Sequence, residues 1–229
     1  MQMFDVIAFD ADDTLWHNES VFQSTETQFA ELLSAYHPPA WVRERLFATE
    51  MKNLQHFGYG VKGFVLSMIE TAIELTEGKA RGDEIQRIVN WGHEMLQAPV
   101  QLLDGVRDTI EVLSRQHRLM LLTKGDLFDQ ESKLARSGLG EHFSMVEIVS
   151  EKNVATYQRV ITRSSVPPER FLMIGNSLKS DVLPAIDAGA HAIHIPYAMT
   201  WAHEQVHDHG REITQLASIR ELPAWIGGR

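Results

Sequence analysis

The chain contains no cysteine, and this absence excludes several chemistries. Disulfide bonds, thiolate catalysis and cysteine-bound zinc each require sulfur, so none of them is available. The sequence also lacks an apolar run long enough to cross a bilayer, and its first residues form neither a basic leader nor a small-residue cleavage site. These absences predict a cytoplasmic protein without a membrane segment.

Basic residues are scarce as well. Lys and Arg number 21 against 31 Asp and Glu, which gives a formal net charge of -10. This balance argues against a nucleic-acid-binding surface, which needs clustered positive charge. An acidic protein that acts on an anion needs a locally positive site instead. The 229 residues, 44% of them hydrophobic, suit one large domain or a core domain with an insertion.

The stretch from Phe4 to Trp16 begins as a strand and ends in carboxylates. An apolar run closes at Phe9, and Asp10, Asp12 and Asp13 follow it directly. Such a pattern is typical of a buried central strand that delivers charged groups to the edge of a sheet. We therefore expect this edge to carry the functional site.

Four helical patterns follow without an intervening strand, at about 18–36, 41–54, 61–78 and 85–96. Four consecutive helices predict an inserted helical bundle. The aromatic residues of this region are expected to lie mostly in its core or at its interface; they are Trp41, Phe47, Phe57, Tyr59, Phe64 and Trp91.

Beyond Pro99, strands alternate with helices. Helices are predicted at about 106–115, 127–137, 154–164 and 180–188, and strands at about 118–122, 145–149, 171–174 and 192–195. This alternation predicts an α/β fold with a doubly wound parallel sheet, interrupted by the all-α insertion. The last part, 200–229, is less regular, with one short helix expected near Ile213.

Polar residues follow each predicted strand, where ligands of open parallel sheets bind. Together they offer carboxylates, a hydroxyl, ammonium groups and a glycine, which are the parts that phosphoryl transfer requires. The residues are Asp10, Asp12, Thr123, Lys124, Lys152, Gly175, Asn176, Ser177 and Asp181.

These clusters resemble, in order and position, the four motifs of the haloacid dehalogenase (HAD) superfamily. The first is Asp10-Ala-Asp12-Asp13-Thr14-Leu15, the second Leu121-Leu-Thr123-Lys124-Gly125, the third Lys152, and the fourth runs from Gly175-Asn176 to Asp181. The resemblance implies a Rossmann-like core over 1–17 and 99–229, with an α-helical C1 cap domain over 18–98.

The resemblance also implies roles for the acidic residues. Asp10 would be the nucleophile that forms an aspartyl-phosphate, and Asp12 would be the general acid and base. Magnesium would be held by Asp10, by the backbone carbonyl of Asp12, and by either Asn176 or Asp181. Thr123, Lys124, Gly125 and Lys152 would bind the phosphoryl group of the substrate.

An acid at position 12 favours an oxygen leaving group, because a departing alkoxide needs a proton and a halide does not. The implied function is therefore a magnesium-dependent phosphatase that acts on a small phosphorylated metabolite, such as a nucleotide monophosphate, a sugar phosphate or a phosphoglycolate-like acid. A phosphomutase, a 2-haloacid dehalogenase-type hydrolase and a binding-only protein without turnover remain as alternatives, the last because Asn176 stands where most members have a carboxylate. The expected partner is the small substrate, without nucleic acid or membrane, and the oligomeric state is undetermined.

Several of these residues also have plain structural interpretations. Asp13 stands where Gly is frequent and is expected to shape the turn. Ser177 and Ser180 are equally consistent with helix caps. His203, His207 and His209 lie close together, but their polar surroundings favour an exposed segment over a metal site.

Overall fold

The structure is a computed structural model that describes residues 3–199, 201–204 and 210–228. Within them, five strands form one parallel sheet in the order β3-β2-β1-β4-β5. The strands are β1 (Val6–Phe9), β2 (Arg118–Lys124), β3 (Phe143–Val149), β4 (Phe171–Gly175) and β5 (His191–His194). The predicted parallel α/β fold is confirmed.

The helices follow the predicted order. The first four run consecutively as α1 (Glu19–Leu32), α2 (Pro39–Phe57), α3 (Val61–Leu75) and α4 (Gly82–Gln97). The others are α5 (Val106–Ser114), α6 (Leu127–Ser137), α7 (Val154–Arg163), α8 (Leu183–Asp187) and α9 (Leu222–Gly227).

The central strand is buried on both faces, which explains its unbroken apolar sequence. Ile7 and Phe9 pack into one hydrophobic cluster, which also contains residues of α5 and α9. Val6 and Ala8 point to the opposite face and pack with residues of α7 and α8. The alternation of side chains along a strand thus divides the core into two layers.

The order of the strands reverses beside β1. The chain passes from β1 to β2 and β3 on one side and then returns to place β4 and β5 on the other. β1 and β4 are therefore neighbours whose connections leave in opposite directions. Ligands of open α/β sheets bind at such a switch point, beyond the carboxyl ends of the strands.

The chain forms two compact units. One comprises the described residues of Met1–Glu19, Val100–Lys124 and Gln130–Arg229, and it contains the sheet. The other comprises Ser20–Pro99 and Gly125–Asp129. This second unit has a hydrophobic core of its own, which includes Phe29, Leu46 and Met68. This separate core is the physical basis of the predicted insertion of consecutive helices. The limits of the core and cap domains, 1–17 with 99–229 and 18–98, stay a prediction.

Three local expectations were wrong. β2 continues through Thr123 and Lys124, because both residues keep pairing with β3. The helix expected from Ser180 begins earlier, as a π-helical turn over Leu178–Val182. Ile213 lies outside any helix, since the segment just after it is extended beside His194, and helical structure starts only at Ile219.

The aromatic residues of the helical unit divide into two groups. Phe64 and Trp91 are buried, as expected. Trp41, Phe47 and Phe57 are 43%, 37% and 50% exposed, so they lie outside the core, and their place at an interface stays a prediction. Across the described ranges, no helix combines the length and apolar character needed to cross a bilayer.

Candidate active site

Asp10 lies at the switch point of the sheet. It directly follows β1, and its backbone N–H donates to the carbonyl of Ile174 in β4 at 2.9 Å. This bond extends the pairing of Phe9 with Ile174 by one step. The backbone of the two strands therefore fixes the carboxylate at the edge where the sequence predicts it.

Lys152 joins two of the predicted acidic residues. Its ammonium group donates to Oδ1 of Asp10 and, at 2.7 Å, to Oδ1 of Asp181. The side chains of Lys152 and Asp181 are each only 1% exposed. A loop after β3 and a turn after β4 thus bring a cation and two carboxylates together inside the protein.

This cluster holds more negative than positive charge, which shows in the pKa values. Burial, followed by repulsion from Asp181, raises the pKa of Asp10 to about 7, although Lys152 acts in the opposite direction. Burial alone would lower the pKa of Lys152, but attraction to both carboxylates holds that pKa above its usual value. The lysine therefore remains charged, and the site retains an excess of carboxylate.

Thr14 connects Asp10 with the fourth cluster. Its hydroxyl lies 3.2 Å from Oδ2 of Asp10 and 3.1 Å from Oδ1 of Asn176, and it accepts a bond from the backbone N–H of Asn176 at 3.1 Å. Because one hydroxyl reaches both oxygens, the carboxylate of Asp10 and the amide of Asn176 lie close to each other. They form a pair of oxygen donors between β1 and β4.

Gly175 creates the space that Asp181 occupies. A Cβ atom added at Gly175 would lie 2.2 Å from Oδ2 of Asp181, so no larger residue fits without moving the carboxylate. The same Oδ2 accepts the backbone N–H of Ser177 at 2.9 Å. With Lys152 on its other oxygen, both carboxylate oxygens of Asp181 have partners within the protein, and whether Asn176 or Asp181 holds a metal stays a prediction.

Asp12 has a separate set of partners. Trp16 Nε1 donates to its Oδ1 at 2.7 Å, and Gln130 Nε2 donates to its Oδ2 at 2.8 Å. Lys133 Nζ lies 3.1 Å and 3.3 Å from the two oxygens. Two residues after Asp10, the chain thus presents a second carboxylate in a different hydrogen-bonding environment.

Asp13 shapes the turn, as predicted. Its φ of 62° lies in the left-handed region, where Asp is tolerated better than most residues. Its carboxylate accepts the backbone N–H groups of Asn18 and Glu19 at the start of α1. Burial raises the pKa of Asp13 to about 7. Asp13 therefore has a structural part at the beginning of the helix.

The residues of the second predicted cluster, Thr123, Lys124 and Gly125, have separate surroundings. The Thr123 hydroxyl is buried at the end of β2 and donates to the carbonyl of Lys124 at 3.4 Å. Lys124 Nζ donates to Ser180 Oγ at 2.9 Å and to the carboxylate of Glu204. Gly125, with a φ of 136°, belongs to the helical unit. The role of these residues in binding substrate stays a prediction.

Glu204 is a partly buried acid that the sequence patterns did not indicate. Its carboxylate accepts bonds from Lys124 and from the hydroxyls of Ser177 and Ser180. Burial would raise the pKa of Glu204, but Lys124 and these hydrogen bonds lower it to about 2. Ser177 Oγ also accepts the N–H of Ser180 at 3.0 Å, so the predicted capping role of Ser177 is confirmed.

Sequence reasoning also missed Thr14, Gln130 and Lys133. Thr14 belongs to the first motif and had a usable signal, since it lies four residues after Asp10. Gln130 and Lys133 are three residues apart on α6 and therefore share one face of that helix, but nothing in the sequence relates that face to Asp12. Glu204 had no signal, because it follows an irregular segment.

The predicted histidine cluster can be followed only in part. His203 packs beside Trp201 and contacts Lys179, whereas His207 and His209 lie outside the described residues. Among residues 3–199, 201–204 and 210–228, no group of three or more His, Cys, Asp or Glu side chains is placed to hold a metal ion.

The oxygen atoms around Asp10 nevertheless suit a magnesium ion by their chemistry. Asp10 and Asn176 supply neighbouring oxygen atoms, and the backbone carbonyl of Asp12 is a further oxygen donor on the same loop. Hard cations prefer such oxygen ligands. Burial and, after it, repulsion from Asp181 raise the pKa of Asp10, and a bound cation would offset that repulsion.

The protein thus combines a parallel α/β sheet with the carboxylate of Asp10 at the end of the central strand, and Lys152 joins that carboxylate to Asp181. This combination is typical of a class of α/β enzymes. A family model for haloacid dehalogenase-like hydrolases matches residues 4–189. The chain therefore belongs to the haloacid dehalogenase-like hydrolase family and is a hydrolase. The predicted family is confirmed.

Individual relatives support this assignment. A crystal structure of a haloacid dehalogenase-like family hydrolase from Xanthomonas campestris is 42% identical, with a TM-score of 0.89 over 99% of this chain and 92% of that one. The pyrimidine 5'-nucleotidase YjjG of Escherichia coli is 26% identical over 90% of this chain and 96% of its own length.

A third relative matches over a shorter stretch. Glyceraldehyde 3-phosphate phosphatase of Methanothermobacter thermautotrophicus is 31% identical over 119 residues, which are 49% of this chain and 53% of that protein. The match thus spans about half of each protein. Two of these three relatives are named for the removal of phosphate from small molecules.

Proposed function

We propose that the protein is a magnesium-dependent phosphatase that hydrolyses a small phosphorylated metabolite through an aspartyl-phosphate on Asp10. The observation that carries the proposal is the pair of carboxylates at Asp10 and Asp12, one fixed at the end of the central strand and the other in separate surroundings. Their different environments suit two different roles in one reaction.

In the first step, an oxygen of Asp10 attacks the phosphorus atom of the substrate. The new bond joins Asp10 to phosphorus, the ester bond to the leaving oxygen breaks, and Asp12 donates a proton to that oxygen. Lys152, which is charged and contacts Asp10, would stabilise the negative charge on the phosphoryl oxygens.

In the second step, a water molecule attacks the phosphorus atom of the aspartyl-phosphate. Asp12 takes the proton from this water, the bond between Asp10 and phosphorus breaks, and inorganic phosphate is released. Asp12 thereby recovers the proton that it lost, and Asp10 recovers its carboxylate. Each residue ends in its initial state, as turnover requires.

Asp10, the backbone carbonyl of Asp12, and Asn176 would hold the magnesium ion, and Lys152 would keep Asp181 beside them. When bound, the ion would neutralise charge on the phosphoryl oxygens. Thr123 and Lys152 would contact the phosphoryl group. Lys124 has a lesser part than the sequence suggests, because Glu204 already neutralises its charge.

We further propose that the helical unit, with the predicted limits 18–98, serves as the cap that selects the substrate and excludes water during the reaction. The supporting observation is its independent core, which allows it to fold as a compact body of its own. The core domain would comprise 1–17 and 99–229.

The test is phosphate release from a panel of phosphorylated metabolites, measured with magnesium and with a chelator. Wild-type protein should release phosphate from at least one ester only when magnesium is present, and Asp10→Asn should abolish that release. A variant Asp10→Asn with wild-type turnover would contradict the mechanism. Absence of both magnesium binding and product across the panel would favour the binding-only alternative.

A further inference from the structure

The carboxylate of Asp12 is held from outside its own loop. Trp16 belongs to the same loop as Asp12, but Gln130 and Lys133 reach the carboxylate from α6. All these groups donate, and together they occupy both carboxylate oxygens. The mechanism above requires Asp12 to face first the leaving oxygen and then a water molecule, so its orientation matters to both steps.

The side-chain amide of Gln130 uses its N–H groups as hydrogen-bond donors, while its oxygen is left without a donor in the described part of the chain. Its amide nitrogen donates to Asp12 at 2.8 Å and to the carbonyl of Lys124 at 3.3 Å. The residue is only 2% exposed, and its Oε1 has no hydrogen-bond partner among the described residues. A buried polar atom without a partner is costly and requires an explanation. A flipped amide would direct that oxygen at a carboxylate, so the orientation is fixed by Asp12.

Lys133 adds a charge to the same face of α6. Its ammonium group lies within 3.3 Å of both Asp12 oxygens and donates to Oδ1 of Asn18 at 2.9 Å. The side chain is 13% exposed, so solvent screens this ion pair less than a surface pair. Gln130 and Lys133 thus contact Asp12 from two positions on a regular helix.

We propose that Gln130 and Lys133 are positioning residues that fix the orientation of the Asp12 carboxylate for proton transfer. This inference rests on the proposed function, since it assigns a purpose to Asp12. A carboxylate on a loop can rotate about two side-chain bonds, and donors on a helix restrict that rotation. Such supporting contacts commonly change activity by about 10- to 100-fold when they are removed.

The first experiment uses aryl phosphates whose leaving groups differ in basicity: 2,4-dinitrophenyl, 4-nitrophenyl and phenyl phosphate. Proton donation by Asp12 matters most for phenyl phosphate, because phenoxide is the most basic leaving group of the three. Gln130→Met and Lys133→Met should lower kcat/KM by about 10- to 100-fold on phenyl phosphate and by much less on the dinitrophenyl ester. Lys133→Arg, which keeps the charge, should recover part of the loss.

The matched control is Arg163→Met. Arg163 also pairs with a carboxylate, that of Glu147, but it lies at the end of α7 and has no part in the proposed reaction. Its kcat/KM values should equal those of the wild type on all three esters. An equal loss on all esters for Gln130→Met and Lys133→Met, or no loss, would overturn the inference, because neither result involves proton donation.

The second experiment does not depend on turnover. The indole N–H of Trp16 donates to Asp12, so its nuclear magnetic resonance signal reports the position of the carboxylate. Gln130→Met and Lys133→Met should each move this signal toward its position in Asp12→Ala, whereas Arg163→Met should leave it in place. Trp16→Phe identifies the signal among the five tryptophans.

An unmoved Trp16 signal in both α6 variants would overturn the inference whatever reaction the protein catalyses. Failure of the proposed function has a different signature, in which wild-type protein releases no phosphate from any ester while the signal still moves. Folding is checked by the remaining indole signals, which should keep their wild-type positions in each variant.

Discussion

Two lysines near the ends of neighbouring strands have opposite electrostatic surroundings. Lys152 contacts two carboxylates, those of Asp10 and Asp181, and the pKa of Asp10 rises to about 7. Among the described residues, Lys124 contacts the carboxylate of Glu204, and the pKa of that acid falls to about 2, although burial alone would raise it. The first cluster thus pairs one cation with two carboxylates, whereas the contacts described for the second pair one cation with one carboxylate.

The difference indicates which lysine belongs to the chemistry. A buried cluster with one charge in excess is unfavourable by itself and becomes favourable when a cation or a polarised ligand arrives. In the described part of the second cluster, Glu204 offsets the charge of Lys124 and also accepts hydrogen bonds from the hydroxyls of Ser177 and Ser180. We therefore propose that Lys152 and its acids act in the reaction, whereas the part of Lys124 in binding substrate stays a prediction.

The largest expected effect comes from Lys152→Met. This change leaves Asp10 and Asp181 buried without their cation, so unfolding should become easier by about 3–5 kcal/mol. Phosphatase activity should disappear as well. Chemical denaturation and phosphate release measure the two effects, and Lys124→Met is the matched comparison. Equal stability losses in the two variants would contradict the distinction between the two lysines.

Gly175→Ala should weaken the first cluster in a different way. The new Cβ would occupy the position of the Asp181 carboxylate and push it away from Lys152. Overpacking of this kind costs about 1–3 kcal/mol. Activity should also fall, because the shift disturbs Lys152 and Asp10. Thermal unfolding and kcat/KM test this prediction, with Gly82→Ala as the control, since nothing lies within 4 Å of a Cβ there.

The effect of Gly175→Ala is read relative to its control. Neither Gly175 nor Gly82 has a positive φ, so Gly82→Ala adds the same methyl group without backbone strain and without the steric conflict at Asp181. It should therefore keep both its stability and its activity. If Gly175→Ala retained full activity, the contact between Asp181 and Lys152 would have no catalytic importance.

Glu204→Gln should have a smaller effect that depends on pH. Since the folded pKa of Glu204 lies below its ordinary value of 4.5, its ionisation stabilises the fold above that pH. The stabilisation is lost as the pH falls toward 2. At neutral pH the variant should lose about 1.5 kcal/mol, the lower end of the range for hydrogen bonds to a charged group, because Gln keeps an oxygen that accepts part of these bonds. Denaturation measured from pH 7 down to pH 3 should show the difference shrinking, and a constant difference would contradict the assigned pKa direction.

Ser180→Ala should have the smallest effect. Its hydroxyl accepts from Lys124 and donates to Glu204, but both partners keep each other after its removal. We expect a loss of about 0.5–1.5 kcal/mol, as for one ordinary hydrogen bond. Thermal unfolding measures it. A loss as large as that of Lys152→Met would mean that the contact between Lys124 and Glu204 does not hold without the serine.

The fold was predictable because its signals are local. The unbroken apolar run of β1 and the four consecutive helical patterns each follow from the burial of one element. The limits of elements were less predictable where tertiary pairing decides them. Thr123 and Lys124 extend β2 because β3 pairs with them, and the segment after Ile213 is extended because β5 lies beside it.

The site residues that could be predicted are those that follow the carboxyl ends of the strands. Asp10, Lys152, Asn176 and Asp181 meet because parallel strands end at one edge of the sheet. The partners of Asp12 and Lys124 were not predictable. Gln130 reaches Asp12 across 118 residues and Glu204 reaches Lys124 across 80, and no local pattern encodes such contacts.

The most direct test of the central claim is to trap the covalent intermediate on Asp10. Protein mixed with magnesium and an active phosphate ester is quenched within one turnover and reduced with borohydride, which converts an aspartyl-phosphate to homoserine. Mass spectrometry of the peptide that contains Asp10 should show homoserine at that position, and none without the ester. Phosphate release with an unmodified Asp10 would contradict the assignment of Asp10 as the nucleophile.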